Sequence, residues 1–397
     1  MIPALRARFN EQYSEARYHA FIEALTRRVG CPIEFRLSET PCFFPDALMQ
    51  SLVDASQTMV AQLLGNTAYR RAADAMVPER FRLPRGEEFP TCVQVDFGLV
   101  QQPDGTVEGR LVELQAFPSL YGFQMALAEM TSGVFSDEKD TRRLFLGGLD
   151  TSAYVALMRD VLVGPHAPEH VVLMEIQPKK QKTRPDFQVT EQTWGIRAVD
   201  TAEVIKDGRR LSYKRDGVFT PIHRIYNRVI PDELERSGAP MPFDYRDELD
   251  VEWIGGPDWF FRISKFSIPW LRHPWVPKTM FLSDVSDMPA DRDNWLIKPL
   301  FSFAGGGIIF SPTDADLAAI PADQRHLYVL QERVAFTPLI NTPAGPTQAE
   351  LRIMMVREGD GYRAVMPLVR MGRGKMMGVD HNKGMAFVGA AAAIISR

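Results

Sequence analysis

Apolar positions recur at helical spacing near the start of the chain and at alternating spacing further on. "RFNEQYSEARYHAFIEALTRRVG" sets Phe9, Tyr13, Ala16, Ala20, Ala24 and Leu25 close to a 3.6-residue period and stops at Gly30, which predicts a helix. "PDALMQSLVDASQTMVAQLLG" predicts a second, with Leu48, Leu52, Ala55, Met59 and Leu63 as its stripe, Asp46 as its cap and Gly65 as its end. Residues 95–124 then read as two strands around a Pro-Asp-Gly turn. After a mixed helical stretch over about 123–162, "PHAPEHVVLMEIQP" predicts a buried strand, and "GIRAVD" with "TAEVIKDGRRLSYKRDGVFTPIHRIYNRVI" predicts short strands and turns. That middle third reads as a small α/β unit of open-sheet type. From about 256 a Gly-, Pro- and Trp-rich passage leads into "PKTMFLSDVSDMP", "NWLIKPLFSFAGGGIIFSP", "HLYVLQERV", "AELRIMMV" and "YRAVMPLVRMG", mostly strands joined by tight turns.

The chain has 397 residues, 45% hydrophobic and 24% charged, enough for two or three domains with substantial cores. A formal net charge of -4 gives no basic field for nucleic acid or an anionic membrane. "MIPALRARFNEQY" lacks the apolar run of a secretory signal, and no stretch approaches a membrane span. Cys31, Cys42 and Cys92 are odd in number and lack CxxC spacing, so core thiols in a reducing cytoplasm are expected rather than a disulfide scaffold or zinc site.

Candidate chemistry lies in two separated places. Asp96 stands on the first strand of the early pair, and Glu113 and Gln115 on the second. Residues two apart on a strand share a face, so Glu113 and Gln115 present their oxygens together. Converging oxygens from neighbouring strands suit a hard cation such as magnesium. Two hundred residues on, Lys298 ends an apolar strand and Gly305, Gly306 and Gly307 follow. Such a loop can fold closely over an anion and aim backbone N–H groups at it, with the lysine as a point charge. Neither G-x-x-x-x-G-K-[ST] nor G-x-G-x-x-G is present. "HLYVLQERV" ends in Gln331-Glu332, where a strand end with free backbone groups can meet the edge of adenine. "AELRIMMV" puts Glu350 and Arg352 on one face, "MPLVRMG" supplies Arg370, and "GVDHNKG" places Asp380, His381, Asn382 and Lys383 in a loop.

This succession resembles the ATP-grasp superfamily. A strand with Lys-Pro, a glycine-rich loop, a Gln-Glu hinge, a strand of D/E-x-R type, a later arginine and an Asn loop ending in glycine occur in order across 265–384. By resemblance, Lys298 binds ATP phosphates, as does Lys265 in "RISKFSIPWL". Gln331 and Glu332 meet adenine, and Glu350 meets the ribose or phosphate side. Arg352, Arg370 and Asn382 contact the phosphates and an acyl-phosphate. The family's metal-binding part does not follow the Asn loop here. The helix over 46–64, the Asp96 strand and "VELQAFPSL" reproduce it at the other end of the chain. The sequence is therefore similar to circularly permuted members of the glutathionylspermidine synthase type. Gln115 stands where those have asparagine, and Asp96 and Glu113 are 17 apart (113 − 96), a little longer than usual.

The resemblance implies an α/β (α+β) ATP-grasp architecture, circularly permuted. Its expected parts are N-terminal helices with a metal-binding portion over 1–125, an open-sheet substrate domain over 126–255 and a nucleotide-binding portion over 256–397. It implies ATP and Mg2+ (or Mn2+) as cofactors and a cytoplasmic ligase joining a small-molecule carboxylate to an amine through an acyl-phosphate. A nucleotide-binding protein without ligase activity and a small-molecule phosphotransferase are the alternatives. In "IHRIYNRVIPDEL", Arg224 and Arg228 are two steps either side of Tyr226 on one predicted strand face, which suits an anionic substrate. The basic loop holding Lys179, Lys180, Lys182 and Arg184 could do likewise.

Overall fold

The structure, a computed structural model, describes residues 1–135, 142–302, 305–374, 377, 382 and 384–396. Its central element is a six-stranded sheet that joins distant parts of the chain. In spatial order it runs Gly389–Ala391, Gly361–Gly372, Gly345–Glu358, Cys92–Gln101 and Val107–Gln115, with Ile340–Thr342 added on the Gly345 strand. The seam is the antiparallel pairing of Cys92–Gln101 with Gly345–Glu358, which sets Asp96 opposite Arg352 and Gly98 opposite Glu350.

Alternation along these strands gives the sheet two unlike faces. Val93, Val95, Phe97 and Leu99 join Leu351, Ile353, Met355 and Val369 on one face, in a single core with Leu52, Met59 and Leu63 of the Asp46–Gly65 helix. The other face is divided. Met354, Val356, Met366 and Leu368 pack under Phe123, Met125 and Leu127 of the Tyr121–Phe135 helix, while Gln94, Asp96, Glu350 and Arg352 form a polar half beside them. A register shift between Asp96 and Phe97 pairs Asp96 with Glu113 but Phe97 with Leu111. This bulge returns Leu111 to the apolar face while Glu113 and Gln115 stay on the polar one.

A second sheet of four parallel strands has the order Glu252–Ile254, Arg224–Asn227, Val171–Glu175, Arg197–Asp200. It is the open α/β unit the middle sequence predicts. Beside it stands a three-stranded meander over Ile205–Asp207, Arg210–Arg215 and Val218–Ile222. A third sheet, antiparallel and four-stranded, has the order Thr279–Phe281, Tyr328–Glu332, Trp295–Pro299, Ile309–Phe310.

Two helix boundaries differ from the sequence pattern. The first helical stretch is two helices, Pro3–Gln12 and Glu15–Val29, because Ser14 accepts from the Arg17 N–H and starts a new one. Gly30 ends it in the left-handed region at φ 81°. Asp46 is the first helical residue rather than the cap, and its carboxylate pairs with Arg143. Gly65 closes that helix directly onto Asn66, whose side chain accepts from Tyr69 N–H and begins Thr67–Ala75. The three cysteines are buried free thiols. Among the described residues, no helix is long and apolar enough to cross a membrane.

Candidate active site

The polar half of the large sheet is organised around one guanidinium. Arg352 Nε and Nη2 donate to the two oxygens of Asp96, each at 2.6 Å. Its Nη1 donates to Gln94 Oε1 at 2.9 Å. Gln115 Nε2 donates to Gln94 Oε1 at 2.8 Å; turning that amide over would set its oxygen 2.6 Å from Nη1 and 2.7 Å from Nη2. Arg370 Nη1 bridges Glu350 at 2.5 Å and Asp96 at 3.3 Å. The pairing follows from register, since Asp96 faces Arg352 on one side and Glu113 on the other, and Glu350 faces Arg370. Burial raises an acid's pKa, but the Arg352 and Arg370 charges hold the Asp96 carboxyl below its usual range. Glu350 is raised instead, because burial and the Asp96 and Glu113 charges outweigh Arg370. Glu113 is the least committed acid, 32% exposed and 3.8 Å from Arg352.

Two lysines complete the charge pattern. Lys298 stands opposite Val329 on the small antiparallel sheet, and Leu296, two residues before it, stands opposite Gln331. Lys298 and Gln331 therefore share a face. The Lys298 ammonium is buried, which pushes its pKa down to about 8; Glu113 opposes that shift, Lys265 adds to it and Glu350 opposes it. Lys265 opens the Lys265–Trp270 turn, is equally buried, and donates to Ser302 O at 2.9 Å. Burial lowers its pKa too, against the charge of Glu113. The charge of Glu113 opposes the lowering of both lysines, and the strand that carries it is held to the passage after Lys265, where Leu111 N–H donates to Trp275 O at 2.8 Å. The charged groups coupled here are four cations, Lys265, Lys298, Arg352 and Arg370, and three carboxylates, Asp96, Glu113 and Glu350.

Gly307 folds back onto the end of the Lys298 strand. Gly305 and Gly307 take φ of 76° and 73°, and a Cβ on Gly307 would lie 2.9 Å from Pro299. On the large sheet, Gly98 leaves room for the Phe336 ring, whose atoms would lie 2.7 Å from any Cβ there. Phe336 belongs to the segment after Glu332, which crosses to the large sheet where Thr337 N–H donates to Leu99 O at 3.0 Å.

Several expectations change. Gln331 and Glu332 do not offer a free strand edge, because Tyr328–Glu332 is an inner strand paired on both sides. Glu332 N–H donates to Lys278 O at 2.8 Å and Arg333 N–H to Asn294 O at 2.6 Å. Gln331 keeps its side chain on the Lys298 face and donates to Thr279 Oγ1 at 3.2 Å. Asn382 is buried, and its Oδ1 accepts from the Arg373 and Gly374 N–H groups at 2.9 and 3.2 Å, holding a turn. Asp380, His381 and Lys383 lie outside the described residues.

Arg224 and Arg228 are not a pair. They flank the Arg224–Asn227 strand, about 13 Å apart by strand rise. Arg224 is taken by Glu252 at 2.9 Å. Arg228 is buried against Phe117 and Phe187 and donates to Pro118 O. The structure also brings in Gln94, which the sequence reading passed over although it stands two residues before Asp96 and so on the same strand face.

The donor set does not fit magnesium as the sequence pattern implies. Both Asp96 oxygens already accept from Arg352, and Gln115 is engaged with Gln94. Among the described residues no group of three or more His, Cys, Asp or Glu converges to hold a metal.

No protein-family model matches the chain, and no curated protein sequence is similar to it. Among solved structures it is similar to a glutathione synthetase-like effector from Globodera pallida in its apo form. The TM-score is 0.62 at 12% identity, and the match covers 96% of each chain. The chain accordingly shares its mixed α/β fold with that glutathione synthetase-like effector.

Proposed function

We propose that the cleft between the small antiparallel sheet and the polar half of the large sheet binds ATP, and that the chain uses it as a carboxylate–amine ligase. The observation that carries this reading is the pair of buried lysines, Lys265 and Lys298, brought together from separate segments. Burying an ammonium without a close counter-ion is costly unless a ligand repays it. A triphosphate supplies the missing charge. The left-handed glycines at 305 and 307 and the like fold of the glutathione synthetase-like effector support the same ligand.

In this reading Lys265 and Lys298 neutralise the phosphates and Arg370 faces the group being transferred. A carboxylate oxygen of the substrate attacks the γ-phosphorus, the bond to the bridging oxygen breaks and ADP leaves. An amine then attacks the acyl carbon, loses its proton and expels phosphate. No step is assigned to a protein-held metal, since the Asp96 oxygens expected to hold one are committed to Arg352. The second reading, nucleotide binding without ligation, is favoured by that same commitment, because it removes Asp96 from chemistry.

Calorimetric titration with ATP, followed by release of ADP and phosphate across a panel of amino acids, polyamines and small acids, tests both. Binding with turnover supports the ligase and binding without turnover the second reading. Unchanged ATP binding in Lys298→Ala overturns the site.

A further inference from the structure

The oxygens of Asp96 and Gln94 converge on one cation, and that cation is the guanidinium of Arg352. The five N–H groups of an arginine form a fixed fork. Here Nε faces Asp96 Oδ1, Nη2 faces Asp96 Oδ2, and Nη1 faces Gln94 Oε1, which also accepts from Gln115 Nε2 at 2.8 Å. Glu113 stands 3.8 Å from Nη2. Side-chain exposure is 5% for Arg352 and 1% for Asp96, so solvent is not part of the arrangement. A divalent ion held by Asp96, Glu113 and Gln115 would compete with Arg352 for the Asp96 oxygens and would sit against a guanidinium that cannot lose its charge.

We infer that Arg352 is the built-in cation of this face: Asp96, Gln94 and Gln115 form a guanidinium cradle, and the cleft takes a polyphosphate without a divalent ion resident on Asp96, Glu113 and Gln115. Arg352 is then a positioning residue whose fixed charge stands in for a metal. The glutamines at positions 94 and 115 fit this role: Gln94 presents its carbonyl oxygen to the guanidinium, and Gln115 holds that oxygen in place by donating to it at 2.8 Å. The inference concerns the chain's own cation position and does not depend on ATP being the nucleotide or on ligase activity.

The test is binding of manganese alone to the full chain, followed by the paramagnetic resonance signal of free Mn2+. Wild type and Glu113→Gln are expected to leave the same amount of free ion. Depletion of the signal by wild type that Glu113→Gln abolishes overturns the inference. Arg352→Gln frees the carboxylate and amide oxygens and is expected to gain one site, with a dissociation constant of about 0.1–1 mM, the range of weak oxygen-ligand sites. A folded Arg352→Gln that gains no site overturns the claim that these oxygens form a cation position. If that variant does not fold, the wild-type and Glu113→Gln comparison decides alone.

Discussion

Replacing Lys298 by methionine should stabilise the ligand-free protein at neutral pH while weakening its hold on polyphosphate. The side chain is buried and its pKa falls from 10.5 to about 8, chiefly by burial. A difference of 2.5 units (10.5 − 8), at about 1.36 kcal/mol per unit, corresponds to about 3 kcal/mol against the charged form in the folded state. Methionine keeps the apolar stem and removes the ammonium, so the variant escapes this cost. The sign with pH follows from linkage. Below about 8 the native lysine is charged and its cost is full. Between about 8 and 10.5 the folded chain has lost a proton that the unfolded chain still holds, so wild-type stability rises with pH. Above that window the two proteins converge. Urea unfolding followed by tryptophan fluorescence at pH 7, 8, 9 and 10 should show a gain at pH 7 that shrinks steadily. The same variant should bind tripolyphosphate more weakly by roughly 1.5–3 kcal/mol, the scale of a lost charged hydrogen bond. A variant no more stable than wild type at pH 7, or one whose gain is unchanged at pH 10, would refute the reasoning.

Three further outcomes follow from the same groups. Asp96→Asn leaves the buried Arg352 guanidinium without its counter-charge and should lower stability in urea by about 3–5 kcal/mol; in wild type the contribution of Asp96 should be lost in acid, as pH falls through its depressed pKa. Glu175→Gln should change stability little near pH 5 and raise it by up to about 5 kcal/mol at pH 9, because burial lifts the Glu175 pKa from 4.5 to about 8 and wild-type stability falls as pH rises across that window; a pH series of urea midpoints checks the slope. Gly307→Ala forces a side chain onto a backbone at φ 73° and against Pro299, and should cost roughly 1–2 kcal/mol and weaken tripolyphosphate binding in calorimetry.

What the sequence could carry was local periodicity. The i, i+2 rule correctly put Glu113 with Gln115 and Glu350 with Arg352, and the apolar stripe over 46–65 marked the helix that backs the large sheet. It could not give register between strands whose facing residues are 256 apart. Without that register, Arg352 reads as a phosphate ligand and Asp96 as a metal ligand, when each is the partner of the other. Tyr328–Glu332 failed for a related reason. Whether a strand is inner or outer is decided by what pairs beside it, and the Thr279–Phe281 strand on its second side lies about fifty residues earlier. The Arg224–Arg228 expectation failed at a boundary: the strand ends at Asn227, and Arg228 turns into the aromatic contact with Phe117 and Phe187.

The Asp96–Arg352 pair also bears on how a sheet assembled from both ends of the chain finds one alignment. Sliding Cys92–Gln101 by one residue against Gly345–Glu358 would turn Val95 and Phe97 onto the polar half and drive Asp96 into the apolar core beneath the Asp46–Gly65 helix. The apolar contacts alone resist that slip, but a slip of two residues preserves the faces and would leave them nearly intact. Such a slip is opposed by charge: it would place Asp96 opposite Glu350 or Met354 instead of Arg352. One choice sets two carboxylates together and the other strands a buried guanidinium, each costing several kcal/mol. The pair that displaces a metal from this face thus also specifies the alignment of the sheet, and the two effects have the same physical origin in a buried, fully hydrogen-bonded arginine.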